Sequence, residues 1–298
     1  MYRFCRKILV FALLVAVPLI CAEIYVESLP NPSRHKHEWM TEHSRSVNTL
    51  ILGSSHTFYG VRPDILSVPA FNLAQISQTY RYDDYLLRHY PTDSLRNVIL
   101  PYSYFSIYED FESMPRERWC AIRYRIYMDC DIHPRLSYYG FEFSSVNAMT
   151  EKLRSLWQPS VLSWDSLGWG SDYKLSKRSE PWDNGTAAAI NNTYADTSLV
   201  DLNVTFLDSI MTYLDRRGVN LLLITTPLSP NFRAAQSRTQ MERNAAVLCR
   251  LLHLHPTVKY FDFSADTLFR DSDFFDSHHL NEYGAVKLTK MIEPHLNR

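Results

Sequence analysis

At 298 residues, 46% of them hydrophobic and 21% charged, the chain can bury one or two packed cores, which excludes a disordered or fibrous protein. A formal net charge of −1, without a Lys/Arg stripe or a basic patch interleaved with aromatics, excludes nucleic acid as the leading partner. Only 8 glycines occur and no Gly-x-Gly-x-x-Gly or Walker-type run is present, so a glycine-rich phosphate loop is excluded too.

Arg3, Arg6 and Lys7 precede an apolar run over residues 8–22 that carries no charge. Extended to residue 26, the run approaches the ~20 residues that span a bilayer. Basic residues on the short leading side keep that end in the cytoplasm and place the body across the membrane. Three readings stand: an uncleaved signal-anchor, a cleaved signal peptide, and a buried helix of a soluble protein. For cleavage, Ala22 suits the position before the cut, whereas Ile20 is a poor residue two places earlier. Cys21 lacks the small preceding residue of a lipoprotein signal.

Residues 27–46 are polar and contain Pro30 and Pro32, which predicts a linker. From residue 47 strands and helices alternate. The runs 48–53 and 70–74 are short and apolar, as in strands buried on both faces, and 97–103, 219–227 and 258–263 read as three further strands. Helices are expected over 80–90, 199–217, 233–254 and 282–296, with Gly218 stopping the second and Asn281 capping the last. This order predicts an α/β fold with a mostly parallel five-stranded sheet between helical layers. Residues 104–198, too long for a simple connection between the third and fourth strands, read as an insertion over the carboxyl edge of the sheet. The insertion is either a lid or substrate platform, or a subdomain that only covers the sheet.

Cys5 and Cys21 lie in the leader, and Cys120, Cys130 and Cys249 in the body. An oxidising compartment permits a Cys120–Cys130 bridge, while Cys249 reads as a core residue. No Cys-x-x-Cys pair is present for a zinc site. Asn184, Asn191 and Asn203 head Asn-x-Thr sequons, which matter only in a glycosylating host.

Ligands of open α/β sheets bind beyond the carboxyl ends of the strands. Ser54, Ser55 and His56 stand at the end of the first strand, where polar residues are also expected of any turn. Residues 274–284 ("FFDSHHLNEYG") follow the last strand and precede the last helix, at the same edge. Asp276 and His279, three apart on a tight loop, can hydrogen-bond through one ring nitrogen and leave the other to accept a serine proton. His278 is the competing base. A metal set of His278, His279, Asp273 and Asp276 is conceivable, but leaves the Ser55 block without a role.

The two blocks together resemble the SGNH (GDSL-type) hydrolase superfamily, whose Gly-Asp-Ser-like block follows the first strand and whose Asp-x-x-His-x-Asn-x-x-Gly block precedes the last helix. Here Gly53-Ser54-Ser55 has Ser54 in the aspartate position, and Asp276, His279, Asn281 and Gly284 match the second block. The resemblance covers about residues 47–103 and 199–298. It implies a three-layer α/β/α fold of flavodoxin-like type, a domain over 47–298 with the insertion at 104–198, and no cofactor. Ser55 would be the nucleophile, His279 the general base and Asp276 its orienting acid. The family's oxyanion glycine corresponds to Ser77, whose backbone N–H survives the change. Gln78 or Ser77 would add a side-chain donor. The Gly-x-Asn-Asp-like element after the third strand is missing, and Ser103 or Tyr102 would replace its asparagine. His56 would either contact substrate or pack the start of the helix. The pattern with its leader is most similar to membrane-anchored proteins of bacterial cell envelopes. That implies an esterase or acyltransferase on the periplasmic side of the inner membrane, or secreted, with an O-acylated polysaccharide or glycoconjugate as partner. The alternative is a binding or assembly protein of the same fold with weak or no turnover.

Overall fold

The computed structural model describes residues 2–111, 120–130, 132, 140–144, 146–157 and 163–297. Five strands, β1 (Thr49–Ile51), β2 (Ala70–Asn72), β3 (Asn97–Pro101), β4 (Asn220–Thr225) and β5 (Lys259–Asp262), form one parallel sheet in the order β2-β1-β3-β4-β5. Alternate residues of each strand enter two separate cores. Leu50, Val98, Leu100, Leu221 and Leu223 face one side, where Leu86 of α4 (Tyr80–His89), Leu207 of α8 (Val200–Arg216) and Leu251 of α10 (Arg238–Leu254) close over them. Ile51, Ile99, Leu222 and Ile224 face the other, against Leu288 and Ile292 of α11 (Glu282–Ile292). Burial on both faces is why β1, β3 and β4 read as apolar runs, whereas the edge strand β5, with Lys259 and Asp262, is at most half-buried. Each fully buried apolar side chain contributes about 1.5–3 kcal/mol to the folded state. The result is a three-layer α/β/α fold.

The order of strands reverses between β1 and β3, so the crevice beyond the carboxyl end of β1 lies at the switch point where ligands of such sheets bind. Gly53 makes the exit from β1 possible. Its φ is +100°, and a Cβ there would meet Pro101 Cδ at 2.1 Å. The chain then enters α3 (Ser55–Gly60) directly.

Four expectations need correction. Residues 27–46 are not a linker. After α1 (Tyr2–Ser28), helix α2 (Pro32–His43) is capped by Asn31, whose side chain accepts from Arg34 N, and packs on the domain through Ser33, Lys36 and Met40. The helix expected over 233–254 is two: α9 (Pro230–Ala235), capped by Ser229, and α10, capped by Ser237. None of the five cysteines, all described, is in a disulfide. Cys249 is exposed rather than part of the core.

The insertion, where described, contributes α5 (Cys120–Met128), α6 (Val146–Trp157), α7 (Gly185–Asn191) and extended chain between them. Its second half lies along α3 and α11. Trp169 Nε1 donates to Tyr59 O at 2.8 Å, and Leu175 N donates to Glu282 Oε2 at 2.8 Å. Within 104–198, residues 112–119, 131, 133–139, 145 and 158–162 lie outside the described set. The α1 helix is long and apolar enough to cross a membrane, and nearly all of it is exposed.

Candidate active site

Ser54 takes an extended conformation ahead of α3, and Ser55 opens the helix. Between residues 51 and 61 only Ser55 is not buried. Its Oγ lies 2.8 Å from His279 Nε2. The opposite ring nitrogen of His279, Nδ1, lies 2.9 Å from Asp276 Oδ2 and 3.0 Å from Oδ1. The sequence separation between serine and histidine is 224 positions, so the sheet alone brings them together.

The loop that carries the acid and the histidine is tied at several points. Phe274 and Leu280 form an antiparallel bridge, and Phe275 N donates to His279 O at 2.9 Å. Asp276 Oδ1 accepts the backbone N–H groups of His278 and His279 at 3.0 and 2.9 Å. Asn281 accepts from Tyr283 N and Gly284 N at the start of α11, and its Nδ2 donates to Ser272 O and Phe274 O. A Cβ at Gly284 would lie 2.2 Å from Asp273 O, so the helix can close on the loop only with glycine there. The motif's Asn and Gly are therefore the fastenings of the Asp-x-x-His loop. Ser277, fully buried, donates from Oγ to Asn184 Oδ1 at 2.9 Å, and Ser229 N donates to Ser277 O at 2.8 Å.

Burial opposes charge on Asp276, but the neighbouring His279, His278 and their hydrogen bonds outweigh it and hold the carboxyl well below its ordinary range. The acid thus stays ionised opposite Nδ1. His278 is pushed down to about 3 by burial and by His279, against the pull of Asp276. Its Nδ1 lies 3.2 Å from Ser277 Oγ and 3.3 Å from Asp276 Oδ1, and no hydrogen bond joins it to Ser55. His56 is buried and packed 5.0 Å from the His279 ring and 5.1 Å from Phe105, between centroids. Burial first, then His279 and His278, push its pKa well below the usual histidine value. Its Nδ1 lies 3.3 Å from Ser54 Oγ. His56 is thus a packed, neutral neighbour of the site.

The other expected residues sort by their hydrogen bonds. Ser77 has φ +58°, the left-handed region where glycine is at ease, and it retains its backbone N–H. The side chain of Gln78 is occupied at both ends. Nε2 donates to Asp83 Oδ1 at 2.6 Å, and Oε1 accepts from Tyr124 at 2.6 Å. The Tyr102 hydroxyl donates to Asn244 O at 2.8 Å. Ser103 lines a cavity of about 410 Å³ between the ends of β3–β5 and α10, with a buried Oγ that has no partner among the described residues. So the Tyr102 hydroxyl is spent, and the Gln78 amide has one of its two N–H groups taken by Asp83. Of the conceivable metal set, Asp276, His278 and His279 have ligating atoms within 4.8 Å of one another. Asp273 is apart, accepting from Arg270 N at 2.8 Å and from Lys287 Nζ.

Several residues at the site carry no motif in sequence. Asp83, on α4, accepts Gly53 N–H at 2.8 Å, and burial raises its carboxyl to about 7 against the hydrogen bonds from Gln78 and Gly53. Lys36, fully buried over the Phe58 ring, donates to Ala74 O at the start of the loop that leads to Ser77. Ser33 donates to Gln75 Oε1 at 3.1 Å in the same loop. Tyr173, from the insertion, stacks on Tyr59 at 3.6 Å and Phe275 at 4.0 Å and meets His279 edge-on at 5.4 Å. The spacing of Ser33, Lys36 and Met40 on one helical stripe is the only trace of the α2 contact that a sequence carries.

No family model matches the sequence, and no curated protein is similar to it. Solved structures of other proteins align with it at low identity. A Streptococcus pneumonia protein provisionally named a platelet activating factor aligns over 96% of this chain and 98% of its own, at 10% identity and a TM-score of 0.48. A provisionally named acylhydrolase from Bacteroides fragilis aligns over 92% of both chains, at 11% identity and TM-score 0.40. A GDSL-like lipase from Bacteroides thetaiotaomicron aligns over 89% of this chain and 99% of its own, at 10% identity and TM-score 0.41. With its five parallel strands, the serine after β1 and the Asp-x-x-His loop before the last helix, the chain resembles the SGNH (GDSL-type) hydrolases.

Proposed function

We propose that the chain is an exported serine esterase or O-acyltransferase of the SGNH type. The observation that carries the reading is the 2.8 Å approach of Ser55 Oγ to His279 Nε2, with ionised Asp276 behind the ring. Ser55 Oγ attacks the ester carbonyl carbon while His279 Nε2 takes its proton. The oxyanion accepts hydrogen bonds from the backbone N–H groups of Ser55 and Ser77. Ser55 occupies the first position of α3, where no helical carbonyl is available to its N–H. His279 returns the proton to the leaving alkoxide, which frees the alcohol and leaves an acyl ester on Ser55. Water then regenerates the serine with release of acid, or a sugar hydroxyl takes the acyl group in transfer. Asp276 fixes the tautomer and stabilises the imidazolium.

The apolar α1 with basic residues on its leading side supports a membrane-anchored body on the periplasmic side. O-acyl groups of an envelope polysaccharide or glycoconjugate, acetyl among them, are then the substrates within reach. The test uses the full-length chain in detergent with a fluorophosphonate probe and an activated acetyl ester. Covalent labelling and turnover in wild type, both absent in Ser55→Ala, support the reading. Equal labelling of the two proteins overturns it.

A second reading, an envelope binding or assembly protein with weak turnover, rests on the engaged side chains of Gln78 and Tyr102. Each missing oxyanion donor costs about 10²–10³ in rate. Carbohydrate binding that persists in a Ser55→Ala, His279→Ala variant, with no turnover in wild type, selects this reading.

A further inference from the structure

The apolar helix α1 does not end in open solvent. Glu23, the first charge after its apolar run, is buried, and its carboxylate accepts the backbone N–H groups of Glu142 and, at 3.0 Å, Phe143. These residues lead into α6, which also contacts α1. The segment presents large apolar side chains outward. Phe141 and Phe143 are exposed, and on α6 Val146, Thr150, Leu153 and Trp157 stand at spacings of 4, 3 and 4 along one exposed stripe. Val146 is 70% exposed and Trp157 85%. Elsewhere outside α1 the exposed large apolar side chains, such as Ile76, Ile190 and Met241, are scattered singly along the chain.

We infer that Phe141, Phe143 and the outward stripe of α6 form a second membrane contact, a helix lying in the lipid interface beside the outer end of α1. This rests on the reading of α1 as an uncleaved anchor. Continuity with that span selects lipid as the occupant. Glu23 sits in the last turn of the exposed apolar surface of α1, which ends with Ile24 and Tyr25, so the groups it binds are held near the level where acyl chains give way to headgroups. Trp157 suits that boundary, where an indole buries its body and keeps its N–H wet. Arg154, exposed on the same helix, can reach from there to a lipid phosphate. A helix with one apolar face and charged residues elsewhere is the form that lies in an interface rather than crossing it.

The test places an environment-sensitive fluorescent amino acid at position 153, 157, 15 or 241 of the full-length chain. Each protein is reconstituted in vesicles of phosphatidylethanolamine and phosphatidylglycerol, with circular dichroism as the check of folding. Expected is blue-shifted emission at 153 and 157 that is quenched by nitroxide-headgroup lipid and protected from aqueous iodide. Position 241 is expected to show the opposite. Iodide quenching at 153 and 157 with lipid quenching at 15 overturns the interfacial helix and leaves the anchor standing. Protection from both quenchers at 153 and 157 means a protein covers the stripe, and also overturns it. A label at 15 that stays outside lipid overturns the anchor reading, and the interfacial helix with it.

Discussion

His279 bridges Asp276 and Ser55, with Nδ1 2.9 Å from the carboxylate and Nε2 2.8 Å from the hydroxyl, so one ring is fixed by the acid and aimed at the serine. If these three act as a unit, their losses are not additive. Ser55→Ala and His279→Ala are each expected to lower kcat by about 10⁶-fold and the double variant by no more. Asp276→Asn is expected to lower it by about 10⁴-fold, since the wrong tautomer is favoured. Single-turnover kinetics on an activated ester measure all four. A double variant far worse than either single one removes the shared role.

The pH dependence follows from which histidines can titrate. His278 is held down to about 3, and burial, His279 and His278 push His56 well below the ordinary value, so both stay neutral across the working range. A base must be neutral to accept the serine proton, so kcat/KM is expected to rise with pH through a single ionisation. The same single step is expected in His56→Asn. Two ionisations in the acid limb of wild type, reduced to one in His56→Asn, would transfer part of the role to His56.

Lys36 reaches the site through its hydrogen bond to Ala74 O and its place over the Phe58 ring. Replacing it by methionine keeps its volume and its contact with Phe58, but releases the carbonyl at the head of the Ser77 loop. The expected outcome for Lys36→Met is a fall in kcat of up to about 10²-fold with little change in KM, because a displaced amide is felt only where charge develops. A fall in thermal midpoint with unaltered kcat would make Lys36 purely a packing residue.

Asp83 adds a pH term to stability. Its folded pKa, about 7, lies above the unfolded value of 3.8, so between these limits the folded state holds a proton that the unfolded chain has lost. Stability from this group therefore falls as pH rises through that window and levels off above it, by on the order of a few kcal/mol. Asp83→Asn, which can still accept from Gly53 N, is expected to flatten that slope. Urea midpoints on either side of the window, for both proteins, provide the measurement. Parallel curves would remove Asp83 as the source.

The central strands were readable because both of their faces are covered, which leaves unbroken apolar runs such as residues 221–224. The Asp-x-x-His loop was readable because its Asn281 and Gly284 have strict local duties, one capping α11 and the other admitting Asp273 O. The α2 helix was not. Its inward face includes a lysine and a serine, whose burial depends on Ala74 and Gln75, acceptors about 40 positions away that local patterning does not reveal. Tyr173 was hidden for a related reason. It lies in a segment rich in aromatics, and only the folded chain brings it between Tyr59 and Phe275. The start of α9 did carry a signal, the Ser229-Pro230 pair, a cap followed by a residue suited to a first helical position, and the break before α10 is marked only by the Ser237 cap.

Only residues 29–31 separate α1 from α2, and α2 is bound to the sheet through Ser33, Lys36 and Met40. With α1 in a bilayer, Ser55 has no leash. Its height above the lipid and its heading are set by the helix that holds it, so the protein patrols a single plane as it diffuses. Under the proposed function, a polymer threading past at another altitude would go untouched, however abundant it is.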